Sequence, residues 1–162
     1  GTGFFESVNR ETKSSLNKEE AILVFKHLKS YLAEVKRNDH EPIESIGIIS
    51  PYKAQIEVLK NLLIDSDLPK VIKQIISINT VDSFQGQERD IVYISMVRSN
   101  EIGQIGFLAD ERRMNVAMTR AKMKLVIIGD SATIATKSKF YNELLDYVNS
   151  IGAYKSAFEF AY

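Results

Sequence analysis

The stretch Asn79-Thr80-Val81-Asp82-Ser83-Phe84-Gln85-Gly86-Gln87-Glu88 carries hydroxyls, carboxamides, carboxylates and a single glycine. It lies between two apolar runs, Ile75-Ile76-Ser77-Ile78 and Asp90-Ile91-Val92-Tyr93-Ile94-Ser95-Met96. Loops that join buried strands are where binding chemistry is commonly placed. One glycine lets a ligand come close to the backbone. With no proline and no second glycine, the loop should hold a shape, and its groups suit phosphate and sugar. The same residues would also serve as a plain strand connection with an Asx-type turn at Asp82.

A second stretch is Asp110-Glu111-Arg112-Arg113-Met114-Asn115-Val116-Ala117-Met118-Thr119-Arg120-Ala121-Lys122. From Asp110 to Lys124 there are three Arg and two Lys against one Asp and one Glu, a local excess of three positive charges. On a helix, Arg113, Ala117 and Arg120 share one face, which sets an arginine among small, core-facing residues. A buried arginine needs an anion. Asp82, Glu88 or Asp130 could supply it from within the chain. A phosphate would suit the planar guanidinium fork equally well.

The elements that must position these residues follow from periodicity. Asn17 followed by Glu20 has the form of a capping box. Apolar residues at Ala21, Val24, Phe25, Leu28, Leu32 and Val35 predict an amphipathic helix over 18–37, with Lys26, Lys29, Lys36 and Arg37 towards water. Residues 45–49 predict a buried strand. Ser50 as N-cap with Pro51 at the first helical position predicts a helix to about Ile64. A loop over 65–73 and strands over 75–79 and 90–97 follow. Residues 98–108, with Gly103 and Gly106, predict a flexible loop. Asp110 should cap a helix through about Ala121, with Met114 and Ala117 on its apolar face. A strand over 124–128 ends at Gly129-Asp130, where Asp130 serves as a turn or cap residue. Ser138 should cap a last helix that buries Tyr141, Leu144, Leu145 and Val148. The end, 151–162, reads as an edge strand or a tail. Strands apolar along their whole length are covered on both faces. The fold class is therefore α/β, a mostly parallel sheet with helices on each side. In such sheets ligands bind beyond the carboxyl ends of the strands, where both Ser50-Pro51-Tyr52 and the 79–88 loop are expected.

The composition narrows the chemistry. The 162 residues suffice for one domain with a sizeable core. Lys and Arg number 21, as do Asp and Glu, so net charge does not argue for a nucleic-acid partner. There is no Cys, which removes disulfides, thiolate metal sites and thiol nucleophiles. No apolar run approaches the ~20 residues that span a bilayer, and no membrane partner is expected. His27, on the helix surface, and His40, in a polar loop, have no companions for a metal site. Neither G-x-x-x-x-G-K-[ST] nor G-x-G-x-x-G is present, so the chain has no phosphate-binding glycine loop of its own.

Ser50-Pro51-Tyr52-Lys53-Ala54-Gln55, the 79–88 stretch and Arg112 to Ala121 closely resemble motifs IV, V and VI of superfamily 1 helicases. The similarity is to the subgroup of the nonsense-mediated-decay helicase and senataxin, and it runs from about residue 17 to residue 130. It implies a three-layer RecA-like domain, the second of two in an ATP-driven motor, occupying 1–162 as one unit of a longer protein. ATP and magnesium would be bound jointly with the first RecA-like domain. Arg120 would be the arginine finger on the γ-phosphate. Gly86 would bring backbone near that phosphate, Glu88 would approach the ribose, Gln85 would line the cleft and Arg113 would support it. Ser50, Pro51, Tyr52 and Thr80 would contact phosphates of single-stranded DNA or RNA. Gln87 stands where the family is often basic, and no role is assigned to it. The upstream motifs that bind the β-phosphate and metal are not in this sequence. The resemblance therefore implies a monomeric, intracellular domain that is inactive alone. A degenerate domain that only binds nucleic acid or protein is the rival reading.

Overall fold

The computed structural model describes residues 4–38 and 41–161; His40 lies outside them. The elements in order are β1 (Ser7–Val8), β2 (Ser15–Leu16), α1 (Lys18–Arg37), β3 (Ile46–Ile49), α2 (Lys53–Asp65), α3 (Lys70–Gln74), β4 (Ile76–Asn79), β5 (Arg89–Ser95), α4 (Glu111–Met118), β6 (Ala121–Ile128), α5 (Ser131–Ile134), α6 (Lys139–Ser150) and α7 (Phe158–Ala161). Short 3-10 turns cover Val81–Phe84 and Gly106–Ala109.

Four parallel strands form the central sheet in the order β4-β3-β5-β6. Side chains alternate across it, as the period of two demands. Ile46, Ile48, Ile91 and Tyr93 join one core with Ala21, Val24, Leu28, Ile56 and Leu59 of α1 and α2. Ile49, Val92 and Ile94 join the other with Phe84, Leu108, Met114, Ala117 and Tyr141. The result is three layers, as the apolar strands required. Among the described residues no helix is long and apolar enough to cross a membrane.

Helix α1 has the predicted bounds, and Asn17 Oδ1 accepts the Glu20 N–H at 3.0 Å. The reciprocal half of the capping box is absent because Glu20 turns away from the helix into the core. Helix α2 starts two residues later than predicted. Ser50 N–H donates to Asn79 C=O at 3.4 Å, which keeps Ser50 in the sheet ladder, and Tyr52 takes the cap position without a side-chain bond. The predicted loop over 65–73 contains α3, because Pro69 C=O accepts from Ile72 and Lys73 and starts a helical turn. At the other end of the sheet, Arg120 C=O accepts the Arg89 N–H at 2.9 Å. That bond draws the chain into the ladder early, so α4 stops at Met118 and β6 begins at Ala121.

The predicted flexible loop after β5 is stitched down instead. Glu6 accepts from Arg98 Nε at 2.8 Å and from the Ser99 N–H at 2.7 Å. Ser99 Oγ donates to Asp130 at 2.8 Å, and Asp130 also caps α5. The chain end is neither edge strand nor tail: α7 lays Phe160 against His27, with ring centroids 4.9 Å apart. His27 is correspondingly half-buried, not a surface residue, with Nδ1 2.8 Å from Tyr93 Oη. Burial, then the Lys124 and Lys155 charges, lower its pKa.

Candidate functional site

The predicted site residues divide between the two ends of the parallel strands. Ser50, Pro51, Tyr52 and Thr80 follow the carboxyl ends of β3 and β4. The 80–88 connection then descends past the sheet, so Gly86 and Glu88 lead into the amino end of β5, where the Arg89 N–H donates to Arg120 C=O. The whole 79–88 loop therefore does not lie at carboxyl ends, because a parallel crossover has to return its chain to the starting edge.

At the carboxyl end Ser50 is wholly enclosed, and its Oγ is a buried side-chain polar atom with no hydrogen-bond partner among the described residues. Leaving such a group unsatisfied costs about 1–3 kcal/mol. Pro51 is half-exposed. Thr80 is half-buried, with its N–H on Asn79 Oδ1 at 2.8 Å. Tyr52 does not stand at the surface as a phosphate contact would require. Its ring is 5% exposed, and its hydroxyl accepts from Arg98 Nη1 and the Phe107 N–H, both at 3.2 Å. Its work is to fix the loop that follows β5.

That end rests on residues to which the sequence motifs assign no part in the site. Val97 has φ of 71°, a strained conformation for a β-branched residue. Its N–H donates to Glu20 Oε1 at 2.7 Å and its C=O accepts from Asn17 Nδ2 at 3.2 Å, so the start of α1 clamps it. Ser95 Oγ donates to the same Glu20 oxygen at 2.6 Å and accepts from Gln55 Nε2 at 3.0 Å. Burial, reinforced by the Asp130 charge, raises the Glu20 pKa to about 7 against the pull of its hydrogen bonds. The signal was present in the sequence. Glu20 and Gln55 each stand four residues before a buried apolar residue, Val24 and Leu59, on the inward stripe of their helices.

The amino end is built differently. Gly86 has φ of 70°, and a side chain there would meet nothing within 4 Å. The glycine therefore serves the turn, and the space beside it is open. Gln85 and Glu88 are exposed. Arg120 is half-buried, and among the described residues its side chain bonds only its own turn: Nε to Val116 C=O and Nη2 to Thr119 Oγ1, both at 3.2 Å. It makes no ion pair among the described residues. The expected buried arginine is not at Arg113, which is exposed and lies 3.5 Å from both Asp82 and Asp110. The helix stops before Arg120, so the two arginines do not share a helical face. No group of three or more His, Asp or Glu stands together as a metal site among the described residues.

The four-stranded parallel sheet flanked by helices is the architecture of a RecA-like domain. The chain belongs to the AAA domain family, whose sequence model matches residues 3–132, and it corresponds to the C-terminal region of helicases in that family. It is 42% identical over 132 residues to the DNA polymerase alpha-associated DNA helicase A of Saccharomyces cerevisiae, covering 80% of this chain and 18% of that protein. DNA-binding protein SMUBP-2 of Mus musculus is 35% identical over 161 residues, 99% of this chain and 15% of the relative. The Regulator of nonsense transcripts 1 homolog of Drosophila melanogaster is 46% identical over 105 residues, 64% of this chain and 9% of the relative. The chain thus spans less than a fifth of the length of these relatives.

Proposed function

We propose that the chain is the second motor domain of an ATP-dependent helicase acting on single-stranded DNA or RNA. The observation that carries this reading is the half-buried Arg120 guanidinium, free of any ion pair among the described residues, at a residue whose C=O pairs with the first residue after the 80–88 connection. A planar cation without a carboxylate suits a phosphate brought in from outside. ATP supplies the transferable phosphoryl group. Arg120 would stabilise charge on it, Gly86 would offer backbone, and Gln85 and Glu88 would line the cleft towards the sugar. Arg113 would hold the Val81–Phe84 turn through Asp82. Magnesium is assigned to the first RecA-like domain, which this reading requires as the partner across the cleft.

At the opposite edge, Thr80, Pro51 and the start of α2 would take phosphates of the strand, as helix N-termini and hydroxyls do. Such contacts are independent of sequence and weaken with salt. The domain would act inside the cell, as a monomer joined to the first domain.

The test is reconstitution. The chain alone, given ATP, magnesium and a single strand, should hydrolyse nothing. The longer protein that carries both RecA-like domains should hydrolyse ATP when the strand is added. Activity of the chain alone that disappears in Arg120→Ala would overturn the division of labour. Absence of turnover in the two-domain protein would favour a degenerate binding scaffold.

A further inference from the structure

We infer that Phe107 is a stacking platform for a base of the single strand; this rests on the proposed strand-binding role of the carboxyl-end surface. The Phe107 ring is 67% exposed, although it belongs to a loop whose neighbours Arg98, Ser99 and Leu108 are buried. The ring is not loose. It lies against Tyr52 with centroids 5.2 Å apart and planes 30° from parallel. The Tyr52 hydroxyl accepts the Phe107 N–H at 3.2 Å, and the Arg98 guanidinium sits 5.9 Å from the Tyr52 ring centre. Gly106 has φ of 52°, and a Cβ there would run into the Arg98 guanidinium and the Tyr52 hydroxyl. The turn is thus built to hold a flat aromatic ring with one side backed and the other open.

The place of this shelf selects its occupant. Tyr52 follows Ser50 by two residues, and Ser50 is bonded to Asn79 beside Thr80. The open ring therefore continues the same edge of the sheet as the polar groups assigned to phosphates. A strand whose phosphates lie on Thr80 and Pro51 carries bases along that edge, and every base has a face that stacks on an aromatic ring. Stacking of this kind does not read sequence or the 2′-hydroxyl.

The experiment is fluorescence anisotropy of labelled oligo-dT and oligo-rU with the 162-residue chain over a series of salt concentrations. Phe107→Ala should weaken both by roughly five- to a hundredfold, the range that loss of one stacked base spans. The dependence on salt should keep its slope, because no counterion is released by a stack. Phe107→Trp should restore affinity and Phe107→Leu should not, while melting of the Leu variant stays at the wild-type value. Oligomers carrying 5-iodouracil should crosslink to the peptide that contains Phe107. Wild-type affinity in Phe107→Ala, or full affinity in Phe107→Leu, would overturn the stacking role alone. A wild-type chain that binds neither oligomer would overturn the strand-binding reading and this one with it. Unchanged oligomer affinity with weakened association to the first RecA-like domain would make Phe107 an interdomain contact instead.

Discussion

The two ends of the sheet are held by different physics. At the carboxyl end, Asn17, Gln55, Ser95 and Glu20 are buried and bond across 38 to 77 residues of sequence. Glu6, Arg98 and Tyr52 continue that network to the surface. At the amino end, the side chains of Arg120, Arg89 and Gln87 bond residues one to four positions away, and Gln85, Gly86 and Glu88 are exposed. A long-range buried network fixes geometry before a ligand arrives. Local bonds at an exposed edge leave donors that can exchange partners at little cost. One end is braced by buried long-range side-chain bonds; under the proposed function, the other meets the first RecA-like domain and ATP.

The largest effect expected from breaking this contrast is on turnover. In the two-domain protein, Arg120→Ala should lower nucleic-acid-stimulated kcat by about 10³- to 10⁵-fold, the usual worth of an arginine finger. Its melting temperature should stay near wild type, since the side chain bonds only its own turn. Arg120→Lys should recover little, because a point charge does not reproduce the fork. Steady-state kinetics and thermal melting on one preparation decide the matter. Loss of kcat that tracks loss of folded protein would return Arg120 to a structural role.

The carboxyl end should answer in stability instead. Gly106→Ala places a methyl against two hydrogen-bonded, buried groups in a conformation that L residues disfavour. It should cost about 3 kcal/mol, in the range of strained and overpacked sites. Urea midpoints measure it. A change below about 0.5 kcal/mol, within the scatter of ordinary surface substitutions, would mean that the stitching yields easily.

Glu20 sharpens the same point through pH. Its pKa is raised to about 7 from 4.5, so between those values the folded state holds a proton that the unfolded state releases. Stability should therefore fall as pH rises from about 4.5 to 7 and level off above, by roughly 3 kcal/mol in all. Both Val97 N–H and Ser95 Oγ donate to one oxygen of Glu20, which the carbonyl of a glutamine reproduces. Glu20→Gln should match wild type at low pH and exceed it above neutrality. Urea unfolding across that range tests this, and parallel pH profiles for the two proteins would show that Glu20 ionises normally.

Much of the fold was legible in the sequence, the contrast between the two ends was not, and the limits have a physical cause. The α1 helix, the strands and the Asp110 and Ser138 caps follow from patterns within a few residues. The start of α2 did not, because Ser50 is held in the ladder by Asn79, a partner 29 positions on. The loop after β5 looked flexible because its anchors, Glu6, Asp130 and Thr133, are distant in the chain. Tyr52 looked like a ligand contact because motif spacing does not reveal that a side chain has turned inward. For the arginines, a helical projection set Arg113 and Arg120 on one face. The strand pairing of Arg89 with Ala121 ended the helix first.

The smallest effect is expected at Arg113, and it marks how little the exposed ion pairs contribute to holding the fold. Its ion pairs with Asp82 and Asp110 are each 3.5 Å long, and all three side chains are about half to two-thirds exposed. Pairs of that kind gain little over hydration and are screened by salt, so each contributes about 0–1 kcal/mol. Arg113→Ala should shift the urea midpoint by less than 1 kcal/mol equivalent, and added salt should shrink even that. The backbone N–H of residue 113 would still bond the Asp110 cap, so α4 keeps its start. Removal of Asp82 in the same background should then add almost nothing, because its partner is gone. A double-mutant cycle between the two measures the coupling. A value above about 2 kcal/mol would show that this exposed cluster is as firmly built as the buried network of the carboxyl end, and the contrast between exposed and buried bonding would fail.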